Sequence, residues 1–421
     1  MKAAGRFLVL AALALSAIAA SSPGTKPEDV GLSPERLQRI NQMIARRIAA
    51  GEIAGAVTIV ARKGKVAHLS AQGVADLESK QAMTPAAMFR IASMTKPITS
   101  FALMQLVEQG KLGLDDPASK YLPELANLQV VESFDAATGA YKLRPASRPA
   151  TVRHFLTHSS GLAYPFTSAT WRDLKPKEGD KFPFGGPLLF DPGERWHYST
   201  STDVVGRLVE VISGQKLEDY FRQNIFAPLK MDDTSYNVPE SKGPRMVAQQ
   251  QRAGDKMDGP VELQKQPLGL TIPAPIGGGG LASTASDYGR FMRMFLNGGE
   301  LDGVRVIKPE TIALMSQNAM GAVRVPALKT ALPRSADFTF IADGRDQWSP
   351  GFLITVDQVS GKRSPGSLSW GGINNTYFWI DPARGVAGTI MMQYLPFADA
   401  KALAVYDAFE RGAYQVVSAG Q

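Results

Sequence analysis

Short apolar or alternating segments sit near both ends of this 421-residue chain, and helical patterns lie between them. Ala56-Val57-Thr58-Ile59-Val60-Ala61 reads as a buried strand that Arg62-Lys63-Gly64-Lys65 turns into a second strand, Val66 to Ser70. Gly351 to Asp357, Ser367 to Trp370, Thr376 to Ile380 and Val386 to Tyr394 read as strands separated by Asp-Pro or Gly turns. Strands at both ends have to meet in one sheet, so the expected class is α/β (α+β): an antiparallel sheet assembled from both termini, flanked by helices, with a mainly helical region inserted in the middle.

Helix signals fit that plan. Ser33-Pro34 offers an N-cap and a proline at N1, and Leu37, Ile40, Ile44 and Ile48 form one apolar stripe that ends near Gly51. A helix from Thr202 or Asp203 buries Val204, Val205, Leu208 and Ile212 before Gly214. Thr151 caps a short helix, Thr284 or Ser286 starts an amphipathic helix to Leu296, and a last helix runs from Ala398 to Val417. From Gly110 to about residue 190 proline and glycine are frequent, and only short helices are expected. Gly277 to Gly280 reads as a flexible loop, and no Gly-Lys-Ser/Thr follows it to make a phosphate loop.

The first twenty residues differ from the rest. Lys2 and Arg6 precede the apolar run Phe7 to Ala20, and Ala17-Ile18-Ala19 supplies small residues for cleavage, so residues 1–20 are expected to be a secretory signal peptide. Its removal takes away two of the formal charges, from +7 to +5. No basic run with interleaved aromatics suggests a nucleic-acid partner. The chain has no cysteine, which excludes disulfides, thiol chemistry and a lipid anchor on cysteine. A periplasmic or secreted protein with no stable membrane span after processing is expected; oligomeric state is not legible.

Chemistry concentrates in three stretches. In Ser93-Met94-Thr95-Lys96 a hydroxyl and an amine lie three residues apart at the start of a run that is apolar nearly all round, through Phe101, Leu103 and Leu106. On a helix these positions share a face, and a lysine whose pKa is lowered by burial can take a proton from serine. Ser213-Gly214-Gln215-Lys216 has the same spacing, but no buried helix follows it. The second stretch, Asp191 to Asp203, sets Tyr198 and Thr200 on a loop before a helix cap; a tyrosine acts as base or proton relay beside a cation such as Lys96. In the third, Ser369-Trp370-Gly371-Gly372-Ile373, two glycines in a strand imply close approach to the backbone, read here as approach by a substrate acyl group, and the N–H groups of Ile373 and Ser93 suit an oxyanion hole. His154 and His158 have i, i+4 spacing, but Phe155 stands where a zinc-protease helix carries glutamate, so capping or packing is favoured over metal. No cofactor is implied.

With these stretches in order, the mature chain from about residue 28 resembles the serine beta-lactamase and penicillin-binding-protein superfamily, and within it the class C beta-lactamase-like family VIII carboxylesterases. His154 to Leu162 and Gly279 to Thr284 also look like family segments. The resemblance implies an α/β lobe of about residues 28–90 and 275–421, a helical lobe of about 91–274, and a site between them. It implies that Ser93 attacks a carbonyl, that Lys96 and Tyr198 share the base and acid work, and that water hydrolyses an acyl-enzyme. Two departures bear on substrate. Thr200 replaces the asparagine of Tyr-x-Asn, and Trp370 and Gly371 replace the first two residues of Lys-Thr-Gly, whose lysine attracts a substrate carboxylate. Losing that contact costs an anionic ligand ~1.5–3 kcal/mol, which favours small neutral esters with at most weak beta-lactamase activity. The other expectations are a D-amino-acid amidase or D-alanyl-D-alanine peptidase, and a non-catalytic relative that binds cell-wall material.

Overall fold

The computed structural model describes residues 25–252, 261–263, 270–272, 274–339 and 344–415. The expected signal peptide, and residues 416 and 417 of the expected last helix, lie outside them.

Helix α1 (Pro34–Ala49) starts where the Ser33 hydroxyl accepts the Arg36 N–H at 3.3 Å, and buries Leu37, Ile40 and Ile44. Strands β1 (Gly55–Arg62) and β2 (Lys65–Gly73) follow as a hairpin. Its two central turn residues, Lys63 and Gly64, both have positive φ, the geometry that matches strand twist in a tight hairpin. Helix α2 (Thr95–Glu108) is buried at every residue from Thr95 to Leu106. Helix α3 (Ser201–Ser213) buries Val204, Val205, Leu208 and Val209 and stops at Gly214, which takes a left-handed φ of 72°. Ile212 is only partly buried, and Val209 takes the core position. Helix α4 (Ala285–Leu296) is capped by Thr284, whose hydroxyl accepts the Asp287 N–H at 3.1 Å.

The C-terminal part contributes β3 (Gln347–Trp348), β4 (Leu353–Ile354), β5 (Leu368–Gly372), β6 (Thr376–Asp381) and β7 (Val386–Met391), and then α5 (Ala400–Gln415). The main sheet has the order β3-β4-β5-β6-β7-β1-β2, antiparallel throughout, so β1 from the N-terminal end pairs with β7 from the C-terminal end. Alternate residues serve two cores. Val57, Ile59, Phe378 and Ile380 face the core that holds α2 and α4, whereas Val60, Tyr377, Trp379 and Ile390 face α1 and α5. The sheet is therefore covered on both faces.

Phe89–Arg90 pairs with Ala282–Ser283, so the chain leaves the sheet half and re-enters it side by side. Between these points lie α2, α3 and several short helices. That region also contains a hairpin, Gln129–Phe134 with Tyr141–Pro145, where only short helices were expected. The strand expected over Val386 to Tyr394 is broken after Met391; Tyr394–Leu395 pairs instead with Gln250–Gln251 in a separate small sheet. No helix among the described residues is long and apolar enough to cross a membrane.

Candidate active site

Ser93 lies in a single turn of 3-10 helix, Ala92–Met94, immediately before α2. Ala92 has φ 46°, a left-handed conformation that costs an alanine ~1–2 kcal/mol. This turn delivers the Ser93 side chain into a solvent-open cleft with about 660 Å³ of empty space, whose walls include Tyr164, Phe166, Tyr198, Trp370 and Phe397. Strain concentrated beside a reactive group is a feature of functional sites.

The Lys96 side chain is almost fully buried, and three acceptors meet its three N–H donors: Ser93 Oγ at 3.2 Å, Tyr164 OH at 3.1 Å and the Gly278 carbonyl at 2.7 Å. The ammonium also lies 4.8 Å from the Tyr198 ring centre and 5.2 Å from that of Tyr164. Tyr198 OH is 2.7 Å from Ser93 Oγ, and the Trp370 indole N–H donates to the same phenol oxygen at 3.4 Å. A proton on Ser93 thus has a phenol oxygen within one hydrogen bond, and the Trp370 N–H and the adjacent Lys96 favour negative charge on it.

The surroundings hold these groups in place. Tyr198 packs against His158, Trp196, Trp370 and Phe166. His158 is buried, which pushes its pKa well below the usual imidazole value, with the Lys96 charge adding to the effect; the neutral ring hydrogen-bonds Ser199 Oγ at 3.2 Å. Burial holds the Tyr164 phenol well above its ordinary pKa, with Asp203 and Tyr198 reinforcing it, so it faces Lys96 as a neutral hydroxyl. Burial raises Asp203, while Lys96 and the Gly278 N–H, which donates to Asp203 Oδ1 at 2.7 Å, pull the other way.

The paired glycines of β5 have a different cause from the one expected. A Cβ on Gly372 would stand 2.3 Å from the Ile91 carbonyl oxygen, and one on Gly371 would stand 2.8 Å from the Tyr377 ring. The backbone that approaches Gly372 belongs to the protein's own Ser93 turn, not to a substrate. This contact sets β5 beside the serine, with Trp370, Gly371 and Ile373 on the cavity wall. Thr200 is half-buried, and its hydroxyl donates to the Phe184 carbonyl at 2.9 Å.

Sequence reasoning missed Tyr164 and the role of Gly277 and Gly278. A Cβ at Gly277 would be 2.1 Å from the Thr202 carbonyl oxygen, and at Gly278 it would be 2.6 Å from Asp203 Oδ1 and 3.0 Å from Tyr164 OH. The run forms the wall that presents a carbonyl to Lys96 and is not a free loop. Elsewhere, His154 completes a capping box with Thr151, accepting the Thr151 N–H on Nδ1 at 3.1 Å. Ser213 Oγ accepts the Gln215 N–H in the turn after α3.

Comparison with known proteins places this geometry. The family described as Beta-lactamase matches residues 40–411. The chain belongs to the beta-lactamase family. It is 33% identical over 377 residues to Protein Rv1367c of Mycobacterium tuberculosis, covering 85% of this chain and 90% of that protein. Monacolin J acid methylbutanoyltransferase of Aspergillus terreus is 30% identical over 346 residues, 77% of this chain and 81% of its own. Esterase EstB of Burkholderia gladioli is 28% identical over 374 residues, 83% and 88%. Among solved structures, simvastatin synthase from Aspergillus terreus, in its LovD6 mutant, superposes with a TM-score of 0.78 at 26% identity, covering 91% of this chain and 98% of that one. The family fold thus includes serine hydrolases and acyltransferases, esterases among them.

Proposed function

We propose that the protein is a carboxylesterase that forms an acyl-enzyme on Ser93 and acts on small neutral esters. The observation that carries this reading is Trp370. Its indole forms part of the cavity wall and its N–H is directed at Tyr198 OH, so the position where the family's beta-lactamases present a lysine to the substrate carboxylate holds an apolar ring. Among the described residues, no carboxylate or histidine lines this cavity; the one lysine on its rim, Lys329, is solvent-exposed and ion-paired with Asp337 at 2.8 Å, and Phe166, Leu328, Ala336, Ile373 and Phe397 complete the apolar surface. An uncharged acyl or alcohol group suits these walls better than an anion.

The geometry supports one division of labour. Lys96 spends its three donors on Ser93, Tyr164 and Gly278, so the atom open to receive the Ser93 proton is the Tyr198 oxygen. In the proposed step Tyr198 enters as the phenolate: as Ser93 Oγ bonds to the ester carbonyl carbon, its proton passes to the Tyr198 oxygen to give the phenol, and the N–H groups of Ser93 and Ile373 receive the oxyanion. Tyr198 then protonates the departing alkoxide. Water repeats the sequence on the acyl-enzyme, giving its proton to Tyr198 and releasing the acid as Ser93 is reprotonated. The esterase and acyltransferase names of the relatives support this first half-reaction, which both activities share. Export to the periplasm or the medium, read from residues 1–20, belongs to the same proposal.

The substrate assignment is tested by comparing substrates. Hydrolysis of p-nitrophenyl butyrate is expected to proceed with kcat/KM ~10- to 100-fold above that for the anionic lactam nitrocefin, the scale of one lost charge-assisted contact. A lactam, or a D-alanyl-D-alanine peptide, turned over as well as the ester would sink the ester assignment.

A further inference from the structure

Two tyrosines meet Lys96, and both are carried on segments without regular secondary structure: Tyr164 on one, Tyr198 on the other. Their spacing therefore depends on what ties the segments together. One side chain does so. Thr167 Oγ1 lies 3.2 Å from the Tyr164 backbone N–H and 3.2 Å from the Tyr164 carbonyl, and it is also 3.1 Å from the Tyr198 carbonyl and 3.1 Å from His197 Nε2.

A hydroxyl has one proton and two lone pairs, which assigns these contacts. The Tyr164 carbonyl already accepts the backbone N–H groups of Thr167 and Ser168, each at 3.0 Å. We assign the Thr167 proton to the Tyr198 carbonyl. With that assignment its lone pairs accept the Tyr164 N–H and the His197 Nε2–H, so the histidine is the Nε2–H tautomer. His197 is itself anchored, since its backbone N–H donates to the His158 carbonyl at 2.9 Å. The imidazole stays neutral because burial, with help from Arg195, lowers its pKa to about 4.

We propose that the Thr167 hydroxyl, held by His197, is a positioning group that clasps the Tyr164 and Tyr198 segments and so sets the distance of both phenols from Lys96 and Ser93. Thr167 acts through Tyr198 and does not take part in proton transfer. The inference rests on the Ser93, Lys96 and Tyr198 reading above. It extends that reading to a residue whose loss leaves every reacting group present but displaced. A displacement of the order of 1 Å costs about 100-fold in rate.

The test uses the full chain, p-nitrophenyl butyrate, and Thr167→Val, Thr167→Ser and Ser93→Ala in one assay. Thr167→Val keeps the shape and removes the hydroxyl. It is expected to lower kcat ~10- to 100-fold with KM within about threefold and to shift the pH–kcat profile, while Thr167→Ser returns kcat to within about threefold of the parent. Unchanged kcat in Thr167→Val, or a loss seen only in KM, overturns the clasp and points to a wall residue. Ser93→Ala separates the two claims: if it stays active the acyl-enzyme reading fails, whereas if it is inactive and Thr167→Val is normal only the clasp fails. Should Thr167→Val not fold, His197 carries the test. His197→Gln, which retains a donor, is expected to keep activity and His197→Leu to lose it; equal activity in the two overturns the proposal.

Discussion

Tyr198→Phe is expected to lower kcat for p-nitrophenyl butyrate by about 10²- to 10⁴-fold, with KM and the thermal midpoint nearly unchanged. The substitution deletes one oxygen, the one 2.7 Å from Ser93 Oγ, and leaves the ring. Packing against His158, Trp196 and Trp370 survives, so the loss cannot be charged to unfolding. The Trp370 indole N–H loses only a 3.4 Å contact. Lys96→Met is a less clean experiment. It strands Tyr164 OH and the Gly278 carbonyl beside an apolar side chain, so stability and chemistry would fall together. A kcat for Tyr198→Phe within threefold of the parent would remove tyrosine as the base and leave that role to Lys96.

The second large effect comes from a methyl group. In Gly372→Ala the added Cβ would meet the Ile91 carbonyl oxygen at 2.3 Å and Thr376 Oγ1 at 2.4 Å. The first of these is backbone and cannot rotate away, so either β5 or the Ser93 turn has to move. The expected cost is ~1–3 kcal/mol in unfolding free energy, read from urea midpoints. The same shift moves Ile373 and Trp370 relative to Ser93, and ester hydrolysis is expected to fall about 100-fold. Gly279→Ala is the control, since the nearest atoms to its added Cβ are 3.8 Å away. If Gly372→Ala were as active and stable as Gly279→Ala, the β5 contact would have no part in shaping the site.

Much of this was legible in the residues, and the reasons differ from place to place. Ser93 and Lys96 declare themselves because their spacing is local and the helix that follows is apolar all round, which only a buried helix can be. The antiparallel sheet could be read from periodicity at the two ends. Tyr164 left no such trace. It reaches Lys96 through the path of an irregular segment 68 residues along the chain, and no periodicity encodes that path. Gly277 and Gly278 were read as flexible for a related reason, because a glycine kept for close approach looks in sequence like one kept for mobility. At Gly372 close approach was inferred correctly and its cause was not, since the Ile91 carbonyl comes from the turn before Ser93, far away along the chain. The hairpin at Gln129–Phe134 was hidden by the surrounding prolines and glycines, and the break after Met391 by an apolar pattern that continues through Met392 and resumes at Tyr394.

The central claim is that Ser93 becomes covalently acylated. Labelling the full chain with a fluorophosphonate, followed by peptide mass spectrometry, tests it most directly. The account predicts the label on the peptide that contains Ser93, none in Ser93→Ala, and no ester hydrolysis in that variant above the uncatalysed rate. Label on another residue, or full hydrolysis by Ser93→Ala, would contradict it.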